Sequence, residues 1–61
     1  MGAKIVKYKA KDGFRWKLVA VNGRIIADSG EAYTTKSSIR RAVDTVLSVF
    51  ESPVEVEEDL E

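Results

Sequence analysis

Three groups of side chains in this sequence have the types and spacing to do chemistry. Tyr33 stands between Glu31 and Lys36, bringing a phenol, a carboxylate and an amine into one short stretch. Those are groups that move protons, but no nucleophile–base pair accompanies them. Each also has an ordinary role: Tyr33 packs, Glu31 is a loop acid and Lys36 opens a helix. A second group, Glu57, Glu58, Asp59 and Glu61, could attract a hard cation. It lacks the spaced ligands and turn glycine of a calcium loop, and it reads as a solvated acidic end. The third group is basic: Lys7, Lys9, Arg15, Lys17 and Arg24. Lysine and arginine neutralise phosphates, so these residues would be the contacts if the chain binds nucleic acid. Cysteine and histidine are both absent. Their absence excludes disulfides, thiol chemistry, Cys or His zinc sites and imidazole acid–base catalysis. The expectation is therefore no enzyme, no catalytic residue, no cofactor and no metal.

These groups need elements to hold them. Lys4–Lys9 reads as a first strand, rich in β-branched and aromatic residues. A loop at Lys11-Asp12-Gly13 follows, read as three residues with Gly13 in a left-handed bulge turn. That register sets Tyr8 opposite Trp16 and Val6 opposite Leu18, keeping lysines off the apolar face. The second strand, about 14–21, alternates Phe14, Trp16, Leu18 and Ala20 on one side with Arg15, Lys17, Val19 and Val21 on the other. Asn22-Gly23 predicts a two-residue type I′ turn into a third strand at about 24–29, pairing Ala20 with Ile25 and Leu18 with Ala27. The expected core face is Val6, Tyr8, Phe14, Trp16, Leu18, Ala20, Ile25 and Ala27. The opposite face would carry an apolar row, Ile5, Val19 and Ile26, beside the basic residues.

Thr34 or Thr35 is placed to cap a helix over about 35–51. Its apolar stripe is Ile39, Ala42, Val43, Val46, Leu47, Val49 and Phe50. Arg40 and Asp44 are spaced to pair on its exposed side. Ser52-Pro53 ends it, and Val54-Glu55-Val56-Glu57 alternates as a short strand would, at about 54–57. The fold class is α+β: an antiparallel three-stranded meander, one amphipathic helix and a C-terminal strand, in a single domain over residues 1–61.

Charge is polarised along the chain. Residues 1–50 hold all ten lysines and arginines and four acids; residues 51–61 hold the other six acids and no base. Either a basic face meets an anionic partner or the tail neutralises the body. No apolar run is long enough to span a bilayer, and the N-terminal residues lack the apolar stretch of a signal peptide. The expectation is a cytoplasmic protein without membrane contact.

Phe14-Arg15-Trp16-Lys17-Leu18, Asn22-Gly23-Arg24-Ile25-Ile26-Ala27-Asp28-Ser29-Gly30-Glu31 and Tyr33-Thr34-Thr35-Lys36 together resemble the DUF1508 family, also called YegP-like or UPF0339. Ala42–Leu47 corresponds to its helix motif. Ala32 and Ala42 stand where glycines are usual there, and Leu47 where lysine is. The resemblance implies βββα units followed by a C-terminal strand, two units forming one sheet with exchange of those strands. With one unit here, it implies a homodimer whose interface includes Pro53, Val54, Val56 and Leu60. The family brings no established activity, so no catalytic residue is carried over. The function expected is that of a non-enzymatic homodimeric interaction or structural module. The alternative is nucleic-acid binding through a basic sheet face.

Overall fold

The computed structural model describes residues 2–50 and 54–61. The elements run β1 (Lys4–Ala10), β2 (Gly13–Val19), β3 (Ile25–Asp28), α1 (Lys36–Leu47) and β4 (Glu55–Asp59). The α+β class is as read from the sequence, but the sheet is not a simple meander. Its order is β3-β2-β1-β4, so the last strand lies at the far edge, parallel to β1. Parallel neighbours need a long crossover rather than a hairpin. Here α1 supplies it, carrying the chain from one edge of the sheet to the other.

Both hairpin loops depart from expectation, each taking the length assigned to the other. Between β1 and β2, Ala10 lies opposite Gly13, which leaves a two-residue loop of Lys11 and Asp12. Between β2 and β3 the loop is Val21-Asn22-Gly23. The Gly23 N–H donates to the Ala20 carbonyl at 2.9 Å, and the Ala20 N–H donates to the Arg24 carbonyl at 2.8 Å. Only Gly23 has positive φ there; a type I′ turn would need it at Asn22 as well. The Asn22 side chain instead accepts the Arg24 N–H at 3.1 Å. A bulge between Leu18 and Val19 then restores the expected Leu18–Ala27 pair, while Ile25 falls opposite Val19 rather than Ala20.

The first loop decides what is buried, because shifting a strand by one residue exchanges its two faces. Ile5 lies opposite Leu18, Lys7 opposite Trp16 and Lys9 opposite Phe14. Ile5 is therefore a core residue and Val6 and Tyr8 are not, the reverse of the sequence reading. Ile5, Ile39, Val43 and Leu60 form the buried centre, with Phe14, Trp16, Leu18, Tyr33, Val46, Leu47 and Val54 packed around it. The predicted core members Ile25 and Ala27 are exposed, since α1 packs on β1 and β2.

Thr35 caps α1, its hydroxyl accepting the Ser38 N–H at 3.0 Å. The helix stops at Leu47, short of the predicted end. Val49 and Phe50 donate to the carbonyls of Val46 and Leu47 at 3.2 and 3.1 Å, a tightened last turn. Those two apolar residues are left exposed. Glu51, Ser52 and Pro53, the predicted stop, lie outside the described residues.

Candidate interaction surface

The acidic C-terminal strand and the basic body meet within the chain. In the parallel register Lys7 adjoins Glu58, and its ammonium reaches that carboxylate at 3.0 Å. Arg40 of α1 donates to the same carboxylate through Nε at 3.0 Å and Nη2 at 2.8 Å. Arg40 is thus taken by Glu58 rather than by the expected Asp44. Held by Arg40 first and Lys7 second, the Glu58 carboxyl is lowered to about 2. Lys7 can lie in the helix-covered layer, 8% exposed, because this partner is in place. Lys4 pairs with Glu57 at 3.0 Å and Lys36 with Glu61 at 3.2 Å. Three tail acids therefore each hold a base of the body.

The five basic residues proposed as one face are divided by this register. Lys7 and Lys9 alternate onto the helix side of β1, whereas Arg15 and Lys17 lie on the opposite side of β2. Arg24 sits past the β2–β3 loop. Arg15 is also engaged, donating to both Asp12 oxygens at 3.3 and 2.7 Å; its guanidinium holds the Asp12 carboxyl below its ordinary value.

Tyr33 and Lys36 do not converge on shared chemistry. The Tyr33 backbone bridges to Phe14, each N–H donating to the other's carbonyl at 2.8 Å. Its side chain lines an open groove of about 320 Å³ with Ser38, Arg41, Ala42 and Thr45. Lys36 points instead to Glu61. Among the described residues no three acids gather to hold a metal; β4 sends alternate side chains to opposite faces. Nor is any helix among them long and apolar enough to cross a membrane.

Of the residues expected at a dimer interface, Leu60 is 4% exposed and within the core. Val54 packs against that core, and Val56 lies beside Ile5 but stays partly exposed. Pro53 lies outside the described residues. Sequence reasoning placed Val19 on the open face of the sheet, but with Ile5 beside it where the register puts Val6 and Tyr8. Val6, Tyr8 and Val19 are half-buried there without a covering helix, and the Lys17 ammonium lies 5.2 Å from the centre of the Tyr8 ring. The alternation that places them was readable in the chain; the register was not.

A four-stranded sheet covered on one face by a single helix, with apolar side chains left outside, defines a small α+β domain. The chain belongs to the DUF1508 family, a domain of unknown function, whose model matches residues 10–52. It is 49% identical over 39 residues to a UPF0339 protein of Neisseria meningitidis serogroup B (strain MC58), covering 64% of this chain and 68% of that one. A UPF0339 protein of serogroup A (strain Z2491) matches to the same extent. No solved structure matches the chain.

Proposed function

We propose that this chain acts as a non-enzymatic homodimer that presents an interaction surface, its C-terminal strands exchanged between subunits. One observation carries the reading: β4 is an edge strand, and Leu60 directly after it belongs to a very small core. Its contacts to β1 and α1 can be made equally to a second copy. Exchange would preserve the Lys7–Glu58–Arg40 cluster and the Ile5–Val56 pair, with only the connection rearranged. Small chains bury little of their surface and gain from a partner. Val21, Ile25, Ile26, Val49 and Phe50 remain exposed in the single chain, leaving apolar area for one. The alternative of nucleic-acid binding would have to use Arg15 and Lys17 without Lys7 and Lys9, which lie on the helix side of the sheet. Size-exclusion chromatography with light scattering tests the proposal. A mass of two chains, or a multiple of two, is expected at micromolar concentration; a folded monomer contradicts it.

A further inference from the structure

The face of the sheet away from α1 carries charge in columns. On β2 stand Arg15, Lys17 and Val19; on β1, Tyr8, Val6 and Lys4; on β4, Asp59, Glu57 and Glu55; Asp28 of β3 lies opposite Lys17. The registers align them in rows, Arg15–Tyr8–Asp59 and Lys17–Val6–Glu57. Two contacts confirm that these side chains share one face: Lys17 over the Tyr8 ring and Lys4 with Glu57. Glu58, on the other face, meets Lys7 and Arg40. From β2 to β4 the open face thus runs from positive, through Tyr8, Val6 and Lys4, to negative, with Asp28 of β3 beside Lys17.

Such a face is complementary to itself. Rotation by 180° about an axis parallel to β1, lying just above the face, lays a second copy on the first with its columns reversed. Lys17 then meets Glu57 of the second copy and Arg15 meets its Asp59. The middle column, Val6, Tyr8 and Lys4, meets its own image, Lys4 being neutralised by Glu57 of its own chain. Sheets pack face to face at about 10 Å, a spacing that long Lys, Arg and Glu side chains can bridge. Among the described residues Lys17 and Asp59 make no ion pair within the chain, whereas Glu57 is held by Lys4 and Arg15 by Asp12. Each cross-copy pair thus joins one unpaired charge to one already paired. We infer that the open sheet face is a second self-association surface, occupied by the same face of another copy. It is independent of strand exchange, because an exchanged β4 presents the same side chains on the same face.

Charge exchange tests the pairing by analytical ultracentrifugation at low salt. Lys17→Glu sets like charges against Glu57 of the opposing copy, and Glu57→Lys sets them against Lys17. Each variant alone is expected to halve the associated mass. An equimolar mixture should restore it, since Glu at 17 then faces Lys at 57 and the native pair faces itself. Raised salt should lower the wild-type mass, and Val6→Glu, in the middle of the face, should also halve it. Far-ultraviolet circular dichroism confirms that each variant is folded. A mass unchanged in all three variants, or unrestored in the mixture, overturns the inference. If strand exchange holds, the halved species has two chains; if it fails, one.

Discussion

Lys7 and Glu58 meet at 3.0 Å across the parallel pair β1 and β4, with Arg40 closing the same carboxylate from the helix above. This one contact joins the beginning of the chain, its helix and its last strand. Its response to acid is set by Glu58, whose folded-state value of about 2 lies below the ordinary 4.5. A carboxylate lowered on folding contributes stability that is complete above the ordinary value and lost as pH falls toward the folded one. Thermal melts should therefore fall between about pH 4.5 and about pH 2. Glu58→Gln should melt lower at neutral pH and show a flatter decline. A variant with the wild-type acid profile would remove Glu58 from this role.

Ile39 is fully buried at the centre of a very small core. Ile39→Ala removes packed methyl groups and leaves a cavity, a change that costs about 2–5 kcal/mol in a well-packed site. Chemical denaturation should show most of the chain's stability lost. A destabilisation below ~1 kcal/mol would mean that the centre of the core lies elsewhere.

Gly13 and Gly23 both have positive φ, at 141° and 89°, but only Gly13 is crowded. A Cβ there would lie 2.6 Å from the Tyr33 carbonyl oxygen, on the backbone that exchanges hydrogen bonds with Phe14. At Gly23 a Cβ meets nothing within 4 Å. Gly23→Ala should cost about 1–2 kcal/mol in backbone strain alone. Gly13→Ala should cost more, because the Phe14–Tyr33 bridge must also shift. Equal losses in denaturant melts would contradict the close approach.

The elements were legible in the sequence because each follows from local pattern. The alternation in β2, the Thr35 cap and the stripe of Ile39 and Val43 are read within one segment. Which face of β1 turns inward was not, because Lys4-Ile5-Val6-Lys7-Tyr8-Lys9 alternates acceptably either way. Charge argued against burying Lys7, and the residue that answers it, Glu58, is far along the chain. The same distance hid the partner of Arg40 and the parallel placement of β4. The division of the basic residues, and the charge columns of the open face, follow from that register.

Deleting residues 53–61 removes Leu60 from the core and Glu58 from both Lys7 and Arg40. Such a chain should lose its folded-state circular dichroism melt and its self-association together. A truncated chain that melts like the full one would show that β4 is dispensable.

Strand exchange has the most direct test in a cysteine pair. The chain has no cysteine of its own, and Lys4 and Glu55 are partners across β1 and β4, at a strand spacing of about 5 Å that a disulfide can span. The double variant Lys4→Cys/Glu55→Cys, oxidised in its native state and run on a non-reducing denaturing gel, reports which chain each β4 belongs to. Exchange predicts a covalent band at twice the chain mass that collapses on reduction. A band at the mass of a single chain, its disulfide closed within itself, would contradict the exchanged homodimer.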